Sequence, residues 1–163
     1  MQFGYRIFGK LALAAIATAV FASTPATSQD IAAVPTYAKV ELDAGFSPDP
    51  QFFSVTSGGS ISASSAVSSS CRGYIASAPD VRLHYTSGSL PLIISTRSSG
   101  DTTLVVYAPD GQWYCDDDGG EAGLNAMVRF NAPWSGRYMI WVGSYSSGAF
   151  LNSEVSISEL RSQ

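Results

Sequence analysis

Four carboxylates lie close together in one short stretch of this sequence, CDDDGGE, which covers residues 115–121. Neighbouring carboxylates repel one another unless they are well solvated or share a cation. Calcium takes roughly six to eight oxygen ligands, which loop carboxylates and backbone carbonyls commonly supply. Asp116, Asp117 and Asp118 are therefore candidate calcium ligands, with Asp117 on the opposite side of an extended strand from the other two. The alternative is a hydrated acidic turn that binds no ion.

A β-hairpin over residues 101–118 is predicted to position this acidic stretch. LVVY at residues 104–107 is a β-branched and aromatic run. PDG at residues 109–111 is a turn tripeptide, in which proline fixes φ and glycine supplies a positive φ. Simple register around that turn would bring Asp101 beside the acidic stretch. Asp101 is therefore the fourth candidate calcium ligand.

Catalysis is not supported by any motif in the chain. There is one histidine, His84, and a serine hydrolase needs a histidine base beside a serine and an acid. Alternation in VRLHYT puts His84 on the polar face of a strand with Arg82 and Thr86, so we expect it to be solvated. No G-x-S-x-G, H-E-x-x-H or phosphate-binding glycine loop occurs. The sequence predicts a protein that is not an enzyme, with a serine-peptidase-like hydrolase as the alternative.

The N-terminus has the pattern of a secretory signal peptide. Two basic residues precede an uncharged apolar run at residues 11–22, and small residues then allow cleavage after Ala22 or Ser28. The run is shorter than the ~20 residues of a membrane span, and no second run of that length follows. We predict a signal peptide and cleavage region at residues 1–28, a short tether at residues 29–36, and a periplasmic or secreted protein.

The two cysteines, Cys71 and Cys115, are predicted to form a disulfide. An isolated pair in an exported chain is more often a disulfide than a metal or redox site, because the compartment is oxidising. The bridge would close a loop of roughly 45 residues, which corresponds to about 4 kcal/mol in the chain-entropy model.

Charge argues against two classes of partner. Removal of the predicted signal leaves seven basic residues against thirteen acidic ones, a net charge of −6. Nucleic-acid binding needs a basic face, and docking on anionic membranes needs basic residues as well. We therefore expect no nucleic-acid partner and no membrane span in the mature chain.

Short segments of alternating polarity follow one another from residue 37 to residue 160. Glycine, proline and serine separate them at intervals of about 8–12 residues, and no window outside the signal shows helical apolar spacing. This pattern predicts an all-β protein, an antiparallel β-sandwich with a single domain. The small-residue tract at residues 57–70 is predicted to be a short strand and surface loop anchored by Cys71, with a flexible linker as the alternative.

Tryptophans are the candidates for a binding surface. Trp113 and Trp141 fall in alternating strands and are expected to fill the core of the sandwich. Trp134 lies in a PWSG turn, where we expect partial exposure. Trp134 is therefore the candidate ligand-binding residue.

The chain also resembles a known family. DTTLVVYAPDG followed by CDDD, and then APWSGRYMIWVG, is similar to the bacterial pre-peptidase C-terminal domain, over residues 71–143. The resemblance implies a jelly-roll-like β-sandwich of secreted proteins that is often appended to proteases and is not itself catalytic. Some members of that family bind calcium or an extracellular polymer such as collagen. In that family the domain usually accompanies an enzyme, whereas here no further domain remains.

The resemblance assigns roles residue by residue. Asp101, Asp116 and Asp117 match the acidic positions of the family, and Asp118 is an extra carboxylate. The two cysteines are not part of the family pattern. The sequence thus predicts an exported, non-catalytic binding or accessory module, stabilised by calcium, whose partner is an extracellular or periplasmic polymer or protein. An inhibitor of secreted peptidases is a further alternative.

Overall fold

The computed structural model describes residues 1, 29–121 and 123–163, and that part of the chain forms eleven strands and one short helix. Most of the predicted signal peptide, residues 2–28, lies outside the described residues. No helix in the described part is long and apolar enough to cross a membrane. The elements are β1 Ala38–Asp43, β2 Gln51–Ser57, β3 Ile61–Ser62, α1 Ala63–Ala66, β4 Tyr74–Ile75, β5 Val81–Thr86, β6 Leu92–Ser98, β7 Thr102–Tyr107, β8 Trp113–Asp116, β9 Met127–Phe130, β10 Gly136–Ser144 and β11 Leu151–Ser158.

The strands form two sheets, which confirms the predicted all-β sandwich. A four-stranded sheet has the order β2-β11-β6-β9. A seven-stranded sheet is built around β10, which pairs with β5 and β4 along one edge and with β7 along the other. β1 extends this sheet beyond β5, β3 extends it beyond β4, and β8 extends it beyond β7.

One strand pair departs from the predicted antiparallel arrangement. β1 runs parallel to β5, with Ala38 opposite Val81 and Asp43 opposite Thr86. Between these two strands the chain crosses to the four-stranded sheet, forms β2, and returns through β3, α1 and β4. A tight turn forces antiparallel pairing, whereas a long connection of this kind allows either direction. Local turn signals therefore could not reveal the parallel pair.

The main core lies between the two sheets and is built by alternation along the strands. In β5, Val81, Leu83 and Tyr85 are buried, whereas His84 is exposed. Each large apolar side chain removed from water in this way contributes roughly 1.5–3 kcal/mol. The other sheet contributes Ile94 among others. The inward-facing residues of β7, β10 and β11 complete the same cluster, and they are Leu104, Val106, Tyr138, Ile140, Val142, Val155 and Ile157.

A second hydrophobic cluster covers the opposite face of the seven-stranded sheet. Trp141 is fully buried there, and its ring centroid is 5.4 Å from that of Trp113. The Cys71–Cys115 disulfide, with a Cα–Cα distance of 5.3 Å, lies in the same cluster and confirms the predicted bridge. The expectation that both tryptophans fill the core between the sheets was wrong. They pack on the outer face, which residues 58–77 cover.

Small residues let this covering segment approach the sheet closely. A Cβ atom on Gly143 of β10 would lie 2.9 Å from Cγ2 of Ile75, and one on Gly73 would lie 2.5 Å from the Thr103 hydroxyl of β7. Such distances are too short for any side chain. The serine- and glycine-rich tract is thus a packed part of the domain, as predicted, and it contains β3 and α1.

Residues 29–36, the predicted tether, make contacts with the seven-stranded sheet and with the loop before β5. Gln29 is buried, and the end of its side-chain amide lies 2.9 Å from the carbonyls of Ala76 and Ser77, to which its NH2 group is assigned as the donor. The Arg82 guanidinium donates to the Ala33 carbonyl at 2.9 Å. These bonds satisfy the Arg82 guanidinium of β5 and two carbonyls of the loop before β5, so they hold the segment against the sandwich.

Candidate functional site

Three of the four predicted calcium ligands converge at one end of the β7–β8 hairpin. Asp101 immediately precedes β7, and Asp117 and Asp118 immediately follow β8. Leu104 is opposite Asp116 in the hairpin register, so the two ends of the hairpin meet. One carboxylate oxygen from each of Asp101, Asp117 and Asp118 lies within 4.8 Å of the others. Ligand oxygens about 2.4 Å from one calcium ion lie at most about 5 Å apart, so these three carboxylates, the acidic triad, fit one ion.

Asp116 does not belong to the acidic triad. Its Oδ2 atom accepts hydrogen bonds from the backbone amides of Gly119, at 2.7 Å, and Met127, at 2.8 Å. β8 ends at Asp116, so the alternation expected for a continuing strand stops there and Asp117 joins Asp118 on one side. Asp116 therefore stabilises the turn that positions the two residues after it.

Two oxygen atoms of the acidic triad are buried without a partner. Oδ1 of Asp101 and Oδ1 of Asp117 have almost no contact with solvent and accept no hydrogen bond within the described residues. Burial of a carboxylate oxygen without a donor is unfavourable, and a bound cation would remove that cost. Such oxygens can be satisfied by a proton, by an ordered water or by a cation.

Burial also shifts the protonation equilibria in the acidic triad. Desolvation raises the pKa of Asp117, the negative charges of Asp118, Asp101 and Asp116 raise it further, and Arg72 lowers it. Desolvation raises the pKa of Asp101, and Asp118 adds to that effect. Both shifts favour the neutral acid, because burial and the neighbouring negative charges each disfavour the ionised form. A divalent cation would reverse that preference.

Backbone hydrogen bonds join three loops around the acidic triad. The Tyr145 amide donates to the Asp101 carbonyl at 3.1 Å, and the Thr102 amide donates to the Leu124 carbonyl at 3.1 Å. The turn before β7, the loop after β8 and the loop after β10 therefore meet at the same end of the sandwich. Such loops can supply carbonyl oxygens to an ion in addition to the carboxylates.

Trp134 lies at the opposite end of the molecule. Asp101 is next to the C-terminal end of β10, since Thr102 pairs with Ser144, whereas Trp134 precedes the first residue of β10. A nine-residue strand is about 30 Å long, so the two sites are separate. Trp134 is 44% exposed, as predicted. Its ring contacts Phe130 edge-on, with a centroid distance of 6.4 Å.

The histidine occupies the position expected for a solvated residue. His84 is exposed on β5, with Glu41 of β1 and Arg137 of β10 as its neighbours in register. These neighbours form a charged outer face on that part of the seven-stranded sheet. A catalytic base needs a serine in reach and a buried acid that orients it, and neither neighbour is of that kind.

Two buried acids, Asp80 and Glu159, were not identified from the sequence. Asp80 accepts a hydrogen bond from the Val142 amide at 2.7 Å, and burial raises its pKa to about 7. Glu159 accepts hydrogen bonds from the Tyr85 hydroxyl at 2.6 Å and from the Gly45 amide at 2.8 Å. No local pattern identifies either residue, because partners distant in sequence determine their burial.

Comparisons with known proteins do not assign this chain to a family. No family model matches the chain, and no curated protein matches it. A similar solved structure is PliG of Aeromonas hydrophila, a periplasmic inhibitor of g-type lysozyme, with 15% sequence identity and a TM-score of 0.36. The alignment covers 74% of this chain and 97% of that one. A similarity of that size carries no functional conclusion. The resemblance to the pre-peptidase C-terminal domain stays a prediction.

Proposed function

We propose that this protein is an exported, non-catalytic β-sandwich that binds calcium at the acidic triad and acts as a binding or accessory module. The observation that carries the proposal is the convergence of Asp101, Asp117 and Asp118 from two sides of one hairpin. Two of these carboxylates hold an oxygen that is buried and has no donor among the described residues. Calcium would satisfy both oxygens and offset the mutual repulsion.

The hydrogen bonds of the buried acids support a non-catalytic role. Asp80 and Glu159 each accept a hydrogen bond from a backbone amide, and Glu159 also accepts one from Tyr85. Both acids therefore support the scaffold. His84, the only histidine in the chain, lies on an exposed strand face between Glu41 and Arg137. A serine-directed covalent probe that labels the protein, with labelling abolished in His84→Ala, would favour the hydrolase alternative instead.

Export is supported by the disulfide and by the N-terminal sequence. Disulfides persist in the periplasm and outside the cell, whereas cytosolic thiols are kept reduced. The Cys71–Cys115 bridge lies in the outer hydrophobic cluster, next in sequence to the acidic residues that it helps to position. The predicted signal at residues 1–28 assigns the same compartment. Calcium is available to a protein there at far higher concentration than in the cytosol.

Calcium binding is tested by thermal unfolding of the oxidised protein in calcium and in EDTA. A ligand that binds only the folded state stabilises it by about 2.7 kcal/mol at a hundredfold excess over Kd. We expect the midpoint temperature to rise by several degrees in calcium. The Asp101→Asn/Asp117→Asn variant should lose that rise, whereas Asp43→Asn, which removes a distant exposed charge on β1, should keep it. Equal midpoints of the wild-type protein in calcium and in EDTA would refute the proposal.

A further inference from the structure

The outer face of the four-stranded sheet carries a polar groove. The register identifies the residues that point away from the core. Glu154 of β11 lies between Ser54 of β2 and Arg97 of β6, and Asn152 of β11 pairs with Thr56 of β2. Their neighbours Val55, Val155 and Thr96 alternate with them and are buried. Three adjacent strands make this surface about 10 Å wide.

Two adjoining depressions make the groove long. The larger has a volume of about 810 Å³ and is bounded at one side by Tyr37. The smaller has a volume of about 430 Å³ and is lined by Phe52. Arg97 lines both depressions, so they lie side by side on the same face of the sheet. Tyr37 and Phe52 are 44% and 46% exposed, and their rings therefore offer apolar surfaces on either side of a polar centre.

The charges of the groove balance. Arg97 and Arg161 are matched by Glu121 and Glu154 along the two depressions. The side chains of Arg97 and Glu154 are direct neighbours across the strands, yet neither makes a hydrogen bond or ion pair with any described residue. The guanidinium donors of Arg97 and the carboxylate acceptors of Glu154 are therefore available to a ligand. A balanced set of charges favours a neutral, hydroxyl-rich ligand over an anionic or a cationic one.

We propose that this groove binds a neutral, extended polysaccharide chain of flat sugar rings, such as a β-1,4-linked glycan. The aromatic rings of Tyr37 and Phe52 would pack against the apolar faces of sugar rings. Arg97, Asn152 and Glu154 would exchange hydrogen bonds with sugar hydroxyls, and bonds to charged groups are the stronger ones. The two depressions, of about 810 and 430 Å³, give room for several sugar rings in a row. This inference goes beyond calcium binding and does not depend on it.

A titration of the full oxidised protein with cellohexaose and with chitohexaose tests the proposal, by calorimetry and by amide chemical shifts. We expect at least one of the two hexasaccharides to bind with a Kd below 1 mM, on the order of a weak single-site interaction. The shifted amides should lie on β2, β6 and β11. Affinity should be the same in calcium and in EDTA, so that a failure of the calcium proposal leaves this result unchanged.

Variants separate groove binding from general surface effects. Tyr37→Ala, Phe52→Ala and Arg97→Ala should each weaken binding at least tenfold, on the order of 1.4 kcal/mol. Matched controls are Tyr145→Ala, an exposed aromatic in another loop, and Arg137→Ala, an exposed arginine on the other sheet. Both controls should bind like the wild-type protein.

Three outcomes would overturn the proposal. The first is the absence of binding for both hexasaccharides at millimolar concentration. The second is binding whose amide shifts lie outside β2, β6 and β11, or which Arg97→Ala leaves unchanged. The third is a stable dimer in light scattering whose interface protects these strands, because a second copy of the chain would then occupy the groove.

Discussion

Asp116 and Met127 are joined by a hydrogen bond of 2.8 Å from the Met127 amide to the Asp116 carboxylate. This bond ties the end of β8 in the seven-stranded sheet to the start of β9 in the four-stranded sheet. The same oxygen also accepts the Gly119 amide. One carboxylate thus closes the acidic loop and connects the two sheets.

Asp116→Ala should therefore destabilise the protein without abolishing calcium binding. The loss of two hydrogen bonds to a charged acceptor is expected to lower the free energy of unfolding by about 2–4 kcal/mol. Chemical denaturation in EDTA measures this loss. The calcium-dependent rise in the midpoint temperature should persist in Asp116→Ala, whereas it should vanish in Asp117→Ala. A calcium response lost in both variants alike would contradict the prediction that the acidic triad binds calcium without the support of Asp116.

Asp80 makes stability depend on pH. Its pKa is about 7 in the folded protein against 3.8 for the free side chain, because burial disfavours the charge. The folded state therefore binds more protons than the unfolded state between these values. The contribution of Asp80 to stability is full below pH 3.8 and is lost as the pH rises to about 7.

Asp80→Asn is expected to remove this dependence. The amide oxygen can still accept the Val142 amide, and no charge is buried. The variant should be more stable than the wild-type protein at pH 8, by at most about 4 kcal/mol, and the difference should shrink towards pH 4. Denaturation curves at several pH values test this. Asp43→Asn, an exposed carboxylate, serves as the control, and a variant less stable than wild type at pH 8 would contradict the assignment.

The disulfide is predicted to hold the outer hydrophobic cluster in place. Reduction acts only on Cys71–Cys115, because the described residues contain no free cysteine and the sequence has only two. Loss of the bridge should cost about 4 kcal/mol and release residues 58–77 from the sheet. Tryptophan fluorescence of Trp113 and Trp141 should shift to longer wavelength before far-ultraviolet dichroism changes. Coincident transitions in both signals would show that the cluster and the sandwich unfold as one unit.

Local patterns determined much of the fold. The VRLHYT segment forms β5 with the predicted bounds, and the PDG turn has Gly111 at φ 78°, so that the hairpin register brings Asp101 to Asp117 and Asp118 as expected. These features depend on alternation and on turn chemistry, both of which are short-range.

The features that sequence reasoning missed depend on distant partners. β1 meets β5 only after the chain has visited the other sheet, so its parallel direction has no local signal. Asp116, a predicted calcium ligand, lies outside the acidic triad because its carboxylate accepts a hydrogen bond from the Met127 amide. The second face of the seven-stranded sheet is buried by a serine-rich tract that no hydrophobicity pattern would identify as a cover. The groove likewise arises from the pairing of β2, β11 and β6.

Gln29 and Gln163 lie on opposite faces of the sandwich, and this bears on how the molecule could be immobilised. Gln29 is held against Ala76 and Ser77 on the outer side of the seven-stranded sheet. Gln163 is held on the other side, where its amide donates to the Ser95 hydroxyl of β6 at 3.0 Å. A surface coupled directly at residue 29 would therefore lie on the disulfide side of the sandwich. The groove on β2, β11 and β6 would lie on the opposite side, where it is accessible to ligands in solution.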